Sequence, residues 1–118
     1  CALGAILNTE NIAKLKCQII SGAANNQLED DTIHGDMVKA KGILYAPDFL
    51  INAGGLINVY SEYNGYVREI AFAQTENIYN TTLEIFSFAE ENNITTQQAA
   101  MSIAKKRIEE RKKENATK

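Results

Sequence analysis

Three short stretches of this chain set small residues beside side-chain amides or at tight positions: "CALG" at residues 1–4, "GAANNQ" at 22–27 and "INAGG" at 51–55. Glycine and alanine let a ligand approach the backbone closely, and a carboxamide both donates and accepts hydrogen bonds. Such surfaces suit a neutral carboxamide or a sugar hydroxyl. The third stretch raises a question of cost, because "FLINAGGLINVYSEY", residues 49–63, puts Asn52, Gly54 and Gly55 inside an apolar run. Each glycine costs a helix about 1 kcal/mol relative to alanine, and a buried carboxamide without partners costs about 1–3 kcal/mol. Taken singly, Gly54 and Gly55 read equally well as packing glycines and Asn25 and Asn26 as turn residues. Three such stretches at corresponding places in successive strand–helix units point instead to one site.

Other reactive side chains carry less. His34 is the only histidine, and with no carboxylate or nucleophile pattern beside it, a surface or capping role is expected. Arg68 and Glu69 read as a helix-surface pair. Cys1 and Cys17 lack C-x-x-C spacing, so neither a zinc knuckle nor a disulfide framework is indicated, and both are expected to be reduced. No metal site is expected.

The elements that must carry these residues follow from the apolar pattern. A short buried strand is expected at Cys17–Ile20, then a small-residue loop. Asp30 and Asp31 are candidate caps for a helix running through Met37 and Ala40, and Gly42 stops it. "GILYAPD" makes a second strand. That spacing suits a strand, a crossover helix and a parallel strand. Asp48, after Pro47, is expected to cap a helix with Asn52 near its first turn, at the carboxyl edge where open parallel sheets bind ligands.

The second half reads as helical. A long helix is expected from Tyr66 to Asn92, with Val67, Ile70, Ala71, Ile78, Ile85 and Ala89 on one face and Phe72, Tyr79, Leu83 and Phe86 beside it. So wide an arc predicts burial on more than one side. Thr75 and Thr82 fall inside it, as satisfied core hydroxyls or as pocket walls. Thr95-x-x-Gln98 is a capping box opening a last helix with a stripe of Ala100, Met101, Ala104 and Ile108. The tail "KKRIEERKKENATK" is expected to be a solvated face fraying into disorder.

At 118 residues and 45% hydrophobic content, the chain makes one modest domain that buries about two thirds of its unfolded surface. Its net charge is −3 with the two signs interspersed, which lacks the basic footprint of a nucleic-acid binder. No apolar run approaches the roughly 20 residues of a membrane span, and no signal-peptide pattern opens the chain. A cytoplasmic protein is expected. Sequons at Asn80, Asn93 and Asn115 are then chance. The abrupt start, without methionine and with "CALGAILN" reading as a strand exit, suggests a fragment.

Read together, "CALGAILN", "CQIISGAANNQL" with "HGD" soon after, and "GILYAPDFLINAGGLINV" followed by "YNGYVRE" closely resemble the carboxy-terminal part of the glutamate, leucine, phenylalanine and valine dehydrogenase family, most nearly its leucine-type members. The resemblance runs from Cys1 to about Arg111. It implies an α/β fold: a partial Rossmann-like, doubly wound parallel-sheet NAD-binding domain with long C-terminal helices. Residues 1–118 would be its distal portion, without the first βαβ unit and without the substrate domain. The implied activity is NAD-dependent oxidative deamination of leucine or a similar apolar L-amino acid to its 2-oxo acid and ammonia, in a homo-oligomer.

Residue by residue, the resemblance assigns Cys1, Ala2, Ala24, Asn25 and Asn26 to the nicotinamide and its ribose, and Asn52 to the amino-acid substrate. Thr75, Ile78, Thr82 and Ile85 are named for the side-chain pocket by their place on the helical arc alone. The family's phosphate-binding G-x-G-x-x-G turn, its lysine pair and its aspartate have no counterpart here, so no catalytic residue is assigned and the chain alone is expected to be inactive. The arc carries no lysine to match a side-chain carboxylate, which would otherwise be buried unpaired. Leucine or valine is therefore favoured over glutamate, with phenylalanine still open. The alternatives are a non-catalytic nucleotide- or partner-binding module of the same fold, and a helical interaction domain without a parallel sheet.

Overall fold

A computed structural model describes residues 3–116; Cys1 and Ala2, assigned above to the nucleotide, lie outside the described residues. The first half builds the sheet layer. Helix α1, Thr9–Lys14, starts where the Asn8 side chain accepts the Asn11 amide at 2.9 Å. Strands β1, Ile19–Ile20, and β2, Leu44–Tyr45, pair in parallel with Ile19 opposite Leu44 and Ile20 opposite Tyr45. Helix α2, Ile33–Ala40, connects them. The parallel unit expected from the spacing is present, and its existence removes the purely helical alternative. Alongside, residues 5–7 run parallel to 26–29, with one bridge between Leu7 and Leu28 and the Ala5 amide donating to the Asn26 carbonyl at 2.7 Å.

Leu7, Ile12, Ile20, Leu28, Val38, Ile43 and Tyr45 close into one apolar cluster under this layer. The strands alternate, with Ile20 and Tyr45 buried but Ile19 63% and Leu44 39% exposed. A strand buried on both faces was expected at Cys17–Ile20; only one face is covered, because no second layer packs on the other among the described residues. The α2 boundaries follow local chemistry. The Asp30 carboxylate accepts the Thr32 and Ile33 amides at 2.9 and 2.7 Å, and Gly42 leaves the helix at φ +71°, a conformation that costs glycine little.

The second half is helical: α3, Asp48–Ile51; α4, Ala53–Tyr63; α5, Arg68–Glu76; α6, Ile78–Glu91; and α7, Thr96–Ala116. Ile85, Ala89, Ala99 and Ala100 form a second apolar cluster where α6 meets α7, with Leu50 of α3 against it. The expected capping box is made in both directions, Gln98 amide to Thr95 Oγ1 and Thr95 amide to Gln98 Oε1, each at 3.1 Å. Two further bonds tie this half to the sheet: the Thr96 hydroxyl donates to the Tyr45 carbonyl at 2.6 Å, and Lys39 Nζ donates to the Asn93 carbonyl at 2.6 Å.

Three expectations for this half need correction. The single helix from Tyr66 to Asn92 is two, parted at Asn77. The Thr75 and Thr82 hydroxyls bond back to the Ala71 and Ile78 carbonyls at 2.9 and 2.7 Å on either side of that point, a contact that competes with the helical ladder and bends helices. Nor is this segment buried on several sides: Ala71, Ile85 and Ala89 are its buried positions, while Val67, Ile70, Phe72, Tyr79 and Leu83 are 45–69% exposed. Periodicity reports which residues share a face, not whether anything covers it. Finally, the charged tail is helical to Ala116 rather than disordered, and the stripe at its start is only partly used, since Met101 and Ile108 are exposed.

Candidate functional site

The loop after β1 is fastened from within. Gln27, fully buried, donates its Nε2 protons to the Gly22 and Ala24 carbonyls at 2.8 and 3.0 Å. This pulls residues 22–27 into a tight arch with Ala24 half-buried and Asn25 and Asn26 exposed at its crest. Asn26 sits at φ +52°, in the left-handed region that asparagine tolerates better than most residues.

Gly4 comes to the same place. A Cβ added at Gly4 would lie 3.2 Å from the Asn25 carbonyl oxygen and 3.4 Å from that of Asn26. The lack of a side chain is what permits this approach.

The third stretch arrives from β2. Asn52 ends α3 and precedes α4, with φ −92° and ψ 6°, and its amide donates to the Asp48 carbonyl at 2.9 Å. Its side-chain Nδ2 donates to the Ala23 carbonyl at 3.2 Å and to Asn25 Oδ1. Both Nδ2 protons are thereby used within the site. Gly4, the 22–27 loop and Asn52, drawn from three separate parts of the chain, thus form one amide-rich surface.

Asp48 underlies this surface. The expectation that its carboxylate caps its own helix fails, because the side chain turns away from α3. Its Oδ2 accepts the Gln27 amide at 2.8 Å and the Tyr45 hydroxyl at 3.3 Å. Burial, together with the negative charge of Asp48 alongside, pushes the Tyr45 hydroxyl well above the ordinary tyrosine range. That group stays protonated and donating. Sequence reasoning missed Gln27 and Tyr45 altogether; the one available signal, Asp48 directly after a strand, fitted a cap just as well.

The glycines separate into two roles. A Cβ at Gly54 would meet Thr75 Cγ2 at 3.3 Å, so Gly54 allows α4 to lie close against α5, whereas Gly55 has nothing within 4 Å. Thr75 is brought beside Gly54, two residues from Asn52, while Ile78 and Thr82 are half-buried farther along α6. Ile85 is 3% exposed inside the second cluster. In this chain the residue named for the pocket therefore packs in the core between α6 and α7.

His34 is buried rather than on the surface, and it does cap. Its Nδ1 accepts the Asp30 amide at 2.9 Å and its Nε2 lies 3.1 Å from Thr9 Oγ1. Arg68 stacks over the Phe72 ring at 5.2 Å. Cys17 is a free, exposed thiol. Among the described residues no three His, Cys, Asp or Glu side chains gather as metal ligands, and no helix is long and apolar enough to cross a membrane.

A neutral surface of amides and small residues, held from beneath by a buried carboxylate, is the geometry to be matched with known proteins. Residues 1–115 match the Glutamate/Leucine/Phenylalanine/Valine dehydrogenase family. The chain belongs to this family. L-tryptophan dehydrogenase of Nostoc punctiforme is 56% identical over 113 residues, which is 96% of this chain and 32% of that protein. Leucine dehydrogenase of Thermoactinomyces intermedius is 49% identical over 117 residues, 99% of this chain and 32% of that protein. Leucine dehydrogenases thus stand among the relatives, as the wording of the motifs suggests.

The crystal structure of the Nostoc punctiforme L-tryptophan dehydrogenase superposes with a TM-score of 0.90 at 55% identity, covering 96% of this chain and 34% of that one. Glutamate dehydrogenase from Peptoniphilus asaccharolyticus shares the fold at a TM-score of 0.65 and 23% identity, over 85% of this chain and 26% of that one. The chain spans about a third of the length of the curated relatives it matches.

Proposed function

We propose that this chain forms the distal part of the Rossmann-like NAD-binding domain of an amino-acid dehydrogenase, and that the enzyme oxidatively deaminates leucine or a similar apolar L-amino acid to its 2-oxo acid and ammonia. The observation that carries this reading is the meeting of Gly4, Asn25 and Asn52 on one neutral surface in a member of this family. The residues present fit the nicotinamide and ribose end of the cofactor. Gly4 lies close against the loop backbone, Ala24 adds only a methyl group to the surface, and Asn25 and Asn26 offer uncharged donors and acceptors to a carboxamide and hydroxyls. When bound, NAD accepts a hydride from the substrate α-carbon. Asn52, beside that surface, holds the amino acid by a hydrogen bond, its free Oδ1 being available at once and its Nδ2 only when Asn25 gives way. Thr75, Ile78 and Thr82 remain proposed contributors to the side-chain pocket.

Nothing among the described residues forms a glycine-rich turn to cradle a pyrophosphate, and no lysine reaches the Asn52 surface. In this reading the first βαβ unit and the substrate domain supply those parts, the active assembly is a cytoplasmic homo-oligomer, and the present chain alone turns over nothing. An aromatic substrate is the second reading, favoured by the 56% identity to L-tryptophan dehydrogenase. The test is nucleotide reduction followed at the absorbance of the reduced nicotinamide. A full-length enzyme carrying this segment should reduce NAD with L-leucine or L-valine in preference to L-glutamate, and the 118-residue chain should give no rate above a blank. Preference for L-tryptophan or L-phenylalanine would select the second reading. Failure of every amino acid in the full-length protein would leave a non-catalytic module.

A further inference from the structure

The loop that carries Asn25 and the junction that carries Asn52 are 27 residues apart in sequence, yet one residue touches the framework of both. Asp48 is 8% exposed. Its Oδ2 accepts the Gln27 amide at 2.8 Å, at the point where the 22–27 arch closes, and its main-chain carbonyl accepts the Asn52 amide at 2.9 Å. The Tyr45 hydroxyl, at 3.3 Å, donates to the same Oδ2 and limits how the carboxylate can turn. Gln27 then passes the constraint on, because its side chain holds the Gly22 and Ala24 carbonyls. A buried carboxylate accepting a backbone N–H makes one of the stronger hydrogen bonds available to a protein.

We propose that Asp48 is a positioning residue that sets the nucleotide-facing loop and the substrate-facing Asn52 in register with each other, acting through the Gln27 amide on one side and its own carbonyl on the other. It touches neither ligand. This inference rests on the functional reading above. It predicts that loosening the Asp48 carboxylate weakens binding of nucleotide directly, and of amino acid through the Asn25–Asn52 contact, because the 22–27 loop drifts while Asn52 keeps its main-chain bond to residue 48 and the reacting groups keep their chemistry. KM for both ligands rises more than kcat falls.

Three variants grade the effect. Asp48→Ala removes the carboxylate and leaves the main-chain bond to Asn52, Asp48→Asn keeps one side-chain acceptor oxygen, and Tyr45→Phe leaves the carboxylate but removes its second donor. In the 118-residue chain, amide hydrogen exchange over residues 22–27 should accelerate in the order Asp48→Ala, Asp48→Asn, Tyr45→Phe, by roughly tenfold or more in the first. In the full-length enzyme, the nucleotide dissociation constant by calorimetry and both KM values should rise in the same order, by about tenfold for Asp48→Ala. Val38→Ala, in the same apolar cluster but bonded to neither loop, is the control: it should lower Tm without moving KM.

Unchanged exchange over 22–27 in Asp48→Asn and Tyr45→Phe, which should fold even if Asp48→Ala does not, overturns the proposal. So does an equal rise in KM from Val38→Ala at matched loss of Tm. A wild-type full-length protein that oxidises no amino acid would instead overturn the functional reading, and the exchange measurement on the chain would still report whether Asp48 holds the loop.

Discussion

Replacing Asn52 with alanine separates a ligand-binding role from a packing role. Asn52 is half-buried, and its Nδ2 makes two hydrogen bonds, to the Ala23 carbonyl and to Asn25 Oδ1. Each such bond contributes about 0.5–1.5 kcal/mol net, and the exposed partners can turn to water, so the stability loss should be about 1–2 kcal/mol. At about 4–8 °C per kcal/mol for a domain of roughly 100 residues, the chain's Tm should fall measurably but remain cooperative. The kinetic loss should be larger: a hydrogen bond to a charged substrate group is worth about 1.5–3 kcal/mol, or roughly 10- to 150-fold in kcat/KM. Asn52→Asp sharpens the comparison, because it sets a carboxylate against the Ala23 and Asn25 oxygens and should cost more stability than alanine does. Circular dichroism melts of the chain and initial rates of the full-length enzyme with L-leucine give the two quantities. A lowered Tm with unaltered kcat/KM would refute the ligand role and leave Asn52 as a clasp between loops.

The two glycines of "NAGG" should part company: Gly55→Ala, with open space around it, should stabilise the chain by about 0.5–1 kcal/mol in urea unfolding through helix propensity, while Gly54→Val should destabilise it by forcing Thr75 and α5 away. Destabilisation by Gly55→Ala would mean that the α4 face is covered. The raised ionisation of Tyr45 fixes a sign for alkaline pH. The folded chain keeps that proton where the unfolded chain loses it, so this contribution to stability is complete below about pH 10 and falls as pH rises above it. Urea midpoints measured across that range should decline more shallowly in Tyr45→Phe, and parallel slopes would contradict the assignment. Leu56, Val59, Tyr60, Tyr63 and Tyr79 are 62–88% exposed, and apolar side chains left open in this way favour association; sedimentation should reveal concentration-dependent association, and a monomer at every concentration would argue against it.

Local chemistry in the sequence determined a good deal of this protein. The strand–helix–strand spacing requires a parallel pair, the Asp30 carboxylate and Gly42 bound the helix between, and Thr95 with Gln98 writes the last helix start within four residues. The wording of the three small-residue stretches is enough to name the family. The caps and the helix stop are carried by residues that act on near neighbours in the chain, and the parallel pair by the length of chain between its strands. The rest depended on partners far apart in sequence. Asp48 reads as a cap until the Gln27 amide, 21 residues away, is seen to claim its carboxylate. The spacing puts Ile85 on the apolar arc, but only the packing of α7 shows that it is covered by Ala99 and Ala100. The helical arc from Val67 to Ala89 fixes which residues share a face, but only the packing of α4, α6 and α7 decides which of those faces is covered. The meeting of Asn25 with Asn52 belongs to the same class. A side chain's type and spacing set what it is able to bond; the tertiary fold chooses which of the competing partners comes within reach.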